Sequence, residues 1–353
     1  MSRVRRRGEE IRRFILEEVT KHPAKIGGVA AERFGITRQA VNKHLKNLVA
    51  EGAISPEGKT RSRTYKLCSI QEWRKAYPTQ GLAEDVIWTQ DIMPLLANLP
   101  DNVRDIWYYC FTEMSNNAID HSGSPDVLVH IGRTAADTRM LLIDRGVGIF
   151  RKIQTAMNLA NERHAILELS KGKLTTDPAK HTGHGIFFTS RMLDSFDILS
   201  GGVSFSHVFG NEEDWLLERP QPGDGTAIFM RLSNHTARTG KQILDQYSSV
   251  DDLGFVKTVV PVKLAQYGED RLISRSQAKR VLARVEVFKE VLLDFEGVPT
   301  IGQAFADEVF RVFPRSHPTV TLLPIRTNPE VQRMIESAKT EHPQDLPTDL
   351  ASL

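Results

Sequence analysis

Apolar residues recur along this chain at spacings that change several times, and each change marks an element boundary. In residues 9–21 they fall at Ile11, Phe14, Ile15, Leu16 and Val19, one face of a helix. Residues 29–35 form a shorter helical stretch stopped by Gly35, and a third helix begins after Thr37, whose hydroxyl suits an N-cap. That helix is expected to turn Ala40, Val41, Leu45, Leu48 and Val49 inward. A strand starts at Ala53 and Ile54, residues 55–58 turn, and residues 63–67 return as a second strand. Residues 69–83, polar and holding Pro78 and Gly81, read as a linker.

Residues 83–121 supply two helices around a turn at Pro100. Leu141, Leu142 and Ile143 form an apolar strand that ends in Asp144, and residues 227–232 alternate as a second strand. After about residue 237 the pattern becomes strand and helix in turn: strands at 255–264, 290–295 and 319–325, helices at 274–285, 302–313 and 329–338. That order predicts a small α/β layer over residues 250–340. Residues 341–353, polar with prolines, are expected to be a disordered tail.

The densest chemistry lies in the run 113–121. On a helix of about 100° per residue, Glu113, Asn117 and His121 share an arc of about 80°, with Asn116 and Asp120 beside them and Trp107, Phe111, Met114 and Ala118 turned elsewhere. That polar face holds no Lys or Arg. A carboxylate can take a proton, an amide oxygen is a hard ligand suited to Mg²⁺, and an imidazole can donate to phosphate. Gly146 and Gly148 follow Asp144 where the chain must turn tightly. Further on, Gly183 and Gly185 open a helix whose free N–H groups suit an anion, and Gly225-Thr226 leads into the later strand.

In this order the four elements resemble the N box, G1 box, G2 box and terminal Gly-Thr of the Bergerat-fold ATPases, the superfamily of gyrase B, Hsp90 and the histidine kinases. The run Glu-x-x-x-Asn-Ala-x-x-His is most similar to the anti-sigma-factor serine kinases. The resemblance covers residues 84–237 and implies an α/β two-layer sandwich that binds ATP and Mg²⁺. It further implies that Asn117 binds the metal, that Glu113 is the general base or orients water, and that His121 sits near the phosphates. By the same resemblance Asp144 takes the adenine amino group with support from Thr226, Gly146 and Gly148 let the backbone pass close to the base, and Gly183 and Gly185 form a lid. The G2 segment is poorer in glycine than the lids of active kinases.

Charge divides the chain. Residues 1–67 hold sixteen Lys or Arg against seven Asp or Glu, whereas the whole chain is only +2, so a polyanion partner belongs at the N-terminus. Residues 1–68 resemble a winged helix-turn-helix, mainly α, which implies a duplex DNA partner. In that resemblance Thr37 caps the recognition helix, with Arg38, Gln39, Asn42 and Lys43 outward, Lys59, Arg61 and Arg63 on the wing, and Arg3, Arg5, Arg6 and Arg7 as a flexible arm. A homodimer is the arrangement in which such a domain reads a palindrome; no heptads enforce one.

Composition excludes several classes. No apolar run approaches the roughly 18 residues that span a bilayer, so no membrane partner and a cytoplasmic location are expected. Two cysteines, Cys68 and Cys110, are too few for a disulfide framework or thiolate zinc site. The stretch 293–310 resembles STAS-like domains, which implies a protein partner; the place of the phosphorylatable serine of anti-anti-sigma relatives holds Thr300 and no serine. The sum is a multidomain chain expected to act as an ATP-binding, DNA-binding transcriptional regulator. The alternative is an anti-sigma-type serine/threonine protein kinase in which Glu113 activates a hydroxyl on a partner. A two-component histidine kinase lacks its phosphoacceptor hairpin, since the best-placed helical histidine, His44, lies among the basic residues of the third helix.

Overall fold

The computed structural model describes residues 3–59, 62–174, 183–210, 215–248, 255–266 and 271–340, with backbone only at 3–6 and 215–222. Arg61 and the tail 341–353 lie outside the described residues. Two compact units result: residues 1–152, 188–211 and 217–243 form the first, and residues 153–187, 212–216 and 244–353 the second.

The first unit begins with α1 (Arg3–Glu18), α2 (Ile26–Phe34) and α3 (Arg38–Ala50), then a hairpin of β1 (Ile54–Glu57) and β2 (Thr64–Leu67) paired antiparallel. Gly35 stops α2 in the left-handed conformation at φ 59°. Ile11, Ile15, Val19, Ile26, Ala30, Val41, Leu45, Leu48 and Ile54 form one core. Arg3, Arg5, Arg6 and Arg7 were expected as a flexible arm; instead they belong to α1, and Arg7 donates to the Phe34 carbonyl at 2.8 Å.

The stretch expected to link domains carries a strand. β3 (Gln71–Pro78) pairs antiparallel with β4 (Asp126–Arg133) along its whole length, at the edge of a five-stranded sheet of order β3-β4-β5-β7-β6. Its members β5 (Asp137–Asp144), β6 (Ser195–Val208) and β7 (Trp215–Ser233) come later in the chain. The turn between β4 and β5 reaches the N-terminal core, where Ala136 is buried among its aliphatic residues and Ala135 packs on them. The helical layer holds α4 (Glu84–Ile87), a π-turn, α5 (Met93–Leu96) and α6 (Asp101–Asn116). It is tied to the sheet by the Arg133 guanidinium, which donates to the Leu95 carbonyl at 2.7 Å.

Between the sheet strands come α7 (Ile149–Ala156), α8 (Glu162–Lys171) and α9 (Gly185–Met192); α10 (Gly240–Gln246) follows β7. The second unit takes in α8 and a parallel three-stranded sheet of order β10-β9-β8, built from β8 (Lys257–Pro261), β9 (Glu290–Asp294) and β10 (Thr321–Ile325). Helices α11 (Arg275–Leu282), α12 (Gln303–Asp307), α13 (Phe313–Ser316) and α14 (Pro329–Thr340) lie between and after these strands, as the alternating pattern predicts. Ser274 caps α11 in a reciprocal box with Gln277. Among the described residues no helix is long and apolar enough to cross a membrane.

Candidate functional site

Helix α6 buries Trp107, Cys110, Phe111 and Met114, leaving Glu113 half-buried on its other side. The last turn, Asn117–His121, is a π-helix. Four residues overshoot an α-turn by about 40° and fall somewhat short of a turn closed by i→i+5 bonds, so in either geometry His121 stays on the side of Asn117. Both are half-buried, and Ala118 is turned inward as expected.

The chain then folds back onto the G1 segment. The Ser122 carbonyl accepts from Val147 N–H at 2.9 Å, and a Cβ at Gly146 would lie 2.0 Å from that same oxygen. Only glycine fits there. Gly148 has φ +88°, and a Cβ on it would meet Ser200 Oγ at 2.8 Å. Gly225 closes the other side, since its Cβ would fall 2.0 Å from the Asp144 carbonyl. Backbone segments far apart in sequence thus meet at van der Waals limits around one carboxylate.

That carboxylate is Asp144, 6% exposed. Register between β5 and β7 sets it opposite Thr226, and Gly146 N–H donates to its Oδ1 at 2.9 Å. Burial pushes its pKa above the usual carboxylate range, opposed by hydrogen bonds from Gly146 and Thr226. The Thr226 Oγ1 also accepts from Ile149 N–H at 3.1 Å, fixing the start of α7. Asp144, Gly146, Gly148 and Thr226, expected as one site, are therefore brought together.

One cation here escaped sequence reasoning. Lys152, on α7, donates to the His121 carbonyl at 2.6 Å, so the polar face of residues 113–121 does meet a positive charge. Burial lowers the Lys152 pKa, against the pull of Asp120. The only signal was the Arg151-Lys152 pair six residues past Gly146, which has no periodicity to mark it. Gly183 and Gly185 belong to the second unit. There Gly183, at φ +71°, would press a Cβ to 2.5 Å from the backbone of Leu174, whose N–H donates to the Gly183 carbonyl at 3.1 Å.

At the N-terminus, Thr37 caps α3 by accepting from Ala40 N–H at 3.2 Å. Arg38, Gln39, Asn42 and Lys43 are exposed along one side of α3, and Lys59 and Arg63 are exposed at the hairpin. Ala40, expected inward, is exposed too: at about 100° per residue it falls between Lys43 and the half-buried His44, a full 100° from the buried Val41. The half-buried His44 has a pKa lowered by burial and then by Arg12 and Lys43.

In the second unit, most of α11, then β9, α12, α13, β10 and the start of α14 fall in residues 277–332, which match a known family, the STAS-like domain of unknown function (DUF4325). The C-terminal domain is STAS-like. No curated protein matches the chain. In the STAS-like domain buried Asp294, at the end of β9, pairs with Arg326 just past β10, and Asn328 donates to the carbonyls of Val298 and Pro299 at 2.9 and 3.0 Å. Thr300 is half-buried.

Proposed function

We propose that this chain is an ATP-responsive, DNA-binding regulator in which a Mg-ATP site on the five-stranded sheet biases a winged helix-turn-helix and a STAS-like interaction domain. The observation that carries it is the buried Asp144 facing Thr226 inside a ring of three glycines that no Cβ could replace. A buried carboxylate with hydrogen-bond capacity left over suits an amino group on a flat ring, and glycine backbone lets such a ring approach closely. The donor set therefore fits adenine.

Asp144 would hold the base, Gly146 and Gly148 would pass along it, and Asn117 would supply the oxygen for Mg²⁺. His121 and Lys152 would face phosphate, the lysine as a point charge. Glu113 would accept a proton or orient water. When bound, Mg-ATP supplies the phosphate charge to which these residues respond.

The link to DNA rests on construction. Only residues 68–70 separate β2 from β3, and Ile70 N–H already bonds the Arg133 carbonyl at 2.8 Å. With Ala136 in the N-terminal core as well, the helix that carries Gln39 and Asn42 shares one compact unit with Asp144. A ligand that alters the sheet then has a direct path to the DNA face, provided it binds two states of that unit unequally. This favours the regulator over the partner-kinase alternative, which needs Glu113 but gives the basic domain no reason to be built into the nucleotide sheet.

The test is a gel-shift titration of the full chain with duplex DNA, with and without Mg-ATP. DNA affinity that depends on Mg-ATP is expected. DNA binding that ignores ATP would leave recognition standing without coupling, and no DNA binding at low salt, with phosphate transfer to a protein in cell extract, would put the kinase ahead.

A further inference from the structure

The STAS-like domain gathers arginine at one corner of its surface. There α12 runs on through the π-turn Glu308–Val312 into α13, a single helical course from Gln303 to Ser316. Its apolar side is buried through Phe305, Val309, Phe310 and Phe313, and α11 packs against it with Ala278, Val281 and Leu282 buried. The two helical courses start side by side: Gly302 N–H donates to the Leu272 carbonyl at 2.8 Å, and a Cβ on Gly302 would lie 2.8 Å from the Ile273 Cα. Close by, the Arg311 guanidinium holds both carboxylate oxygens of Asp307, and Arg275 stands 4.0 Å from the same group. The Arg311 hydrogen bond first, then the charges of Arg311, Arg275 and Arg315, keep the Asp307 carboxyl below the usual carboxylate range, against the opposing effect of burial. Three guanidiniums thus share one carboxylate.

Local stability does not account for this arrangement. Arg275 is the first residue of α11, where the helix dipole is positive and an acid would be favoured. Arg311 and Arg315 are like charges four residues apart on one helical course, a spacing that repels. The domain is not basic as a whole, since residues 277–332 hold seven Lys or Arg against seven Asp or Glu. The excess is local. Exposed aliphatic side chains flank it: Ile273, two residues before Arg275, is 57% exposed, and Val312, three before Arg315, is 37% exposed. A compact cluster of charge with apolar surface beside it fits a short acidic stretch of protein, whereas a nucleic acid presents a long row of phosphates and asks for a basic track.

We propose that the corner formed by Arg275, Arg311, Arg315, Ile273 and Val312 is the docking surface of this domain, and that its occupant is an acidic segment of a protein partner carrying an apolar side chain or two among its carboxylates. This rests on the reading of the domain as an interaction module and needs neither ATP nor DNA. Arginine suits the task, because its planar fork meets a carboxylate through two parallel hydrogen bonds. Asp307 orients Arg311 in advance, so less freedom is lost when the partner arrives.

The test uses the full chain at low ionic strength and a short labelled peptide of glutamate and leucine, with a lysine and leucine peptide as its control. Binding is read by fluorescence anisotropy and located by hydrogen exchange. The glutamate peptide is expected to bind and to protect residues 271–279 and 303–316, and the lysine peptide to do neither. Arg315→Glu and, on the other helix, Arg275→Gln should each weaken binding about fivefold or more. Both side chains are exposed, so circular dichroism of the variants should match the unmutated protein. The basic N-terminal residues also attract acid, so peptide binding that survives both variants belongs there and overturns the proposal. If the same two variants lose affinity for duplex DNA to the same extent, the corner is a nucleic-acid surface and the proposal falls. Protection confined to other parts of residues 271–340 keeps the interaction module and discards this surface, and no protection anywhere in 271–340 discards both.

Discussion

Replacing Asp144 by asparagine separates binding from stability, because the two should move in opposite directions. The carboxylate is 6% exposed and accepts from Gly146 N–H and Thr226. In the Asp144→Asn variant the amide oxygen can keep the Gly146 bond, which turns the amide NH₂ toward the base. An acceptor for the adenine amino group then becomes a donor. Losing a hydrogen bond to a charged group costs about 1.5 to 3 kcal/mol, so Kd for Mg-ATP should rise about tenfold to more than a hundredfold. Stability follows a different sign. Burial raises the Asp144 pKa above its reference of 3.8, so the native state holds this proton more tightly than the unfolded chain. The stability tied to that proton is present below pH 3.8 and lost as pH rises through the higher native value. At neutral pH the fold carries an unfavourable buried charge, and Asp144→Asn should leave the nucleotide-free melting temperature unchanged or higher. Calorimetry with Mg-ATP and a thermal melt without ligand decide the matter. Unchanged affinity, or a melting temperature that falls together with affinity, would refute the assignment of Asp144 to the base.

Three further outcomes are expected. Gly146→Ala drives a Cβ to 2.0 Å from the Ser122 carbonyl and should abolish nucleotide binding and lower the melting temperature; Gly123→Ala, at φ +69° with open space around it, should cost only about 1 kcal/mol of backbone strain and leave binding intact. Burial lowers the pKa of both His164 and His184, aided by Arg280 and by Lys173, so the second unit should be fully stable above pH 6.5 and lose stability as pH falls below it, which a melt between pH 7.5 and pH 5, roughly the span in which histidine titrates, would read. In the full chain, Lys59→Ala with Arg63→Ala should weaken DNA binding to all sequences and flatten the salt slope by up to about 2. Gln39→Ala or Asn42→Ala should mainly erode preference between sequences, as competition gel shifts would show.

The parts of the fold that sequence periodicity revealed are those where one face is buried and the other wet. Strands β8 and β9 and helices α11 and α14 appear where the pattern puts them for that reason. Strand β3 was hidden because it is an edge: of its eight residues only Tyr77 is buried, and Glu72, Arg74 and Lys75 give it the polarity of a linker. In the site, Glu113, Asn117 and His121 could be grouped because one helix spaces them. Asp144 and Thr226 had to be grouped by resemblance, since the register that pairs them spans 82 positions, and Lys152 came from a chain reversal at Ser122 that no local pattern records. The boundary at residue 237 hid most. It left α8 with the nucleotide sheet, whereas the bonds that hold Lys171 run 109 and 112 residues along the chain to α11 and its cap.

The short passage from β2 into β3 also governs how DNA could be measured out by this protein. A recognition helix on a flexible tether tolerates half-sites at many separations, since the tether absorbs the difference at little entropic cost. Here residues 68–70 leave no slack, and the Ile70 bond to Arg133 begins the sheet at once. Two copies bound to a palindrome would act as a pair of callipers with a fixed jaw width, set by whatever surface joins the copies. Inserting half a helical turn, about 5 base pairs, between the half-sites would rotate one of them out of reach instead of stretching the protein to meet it.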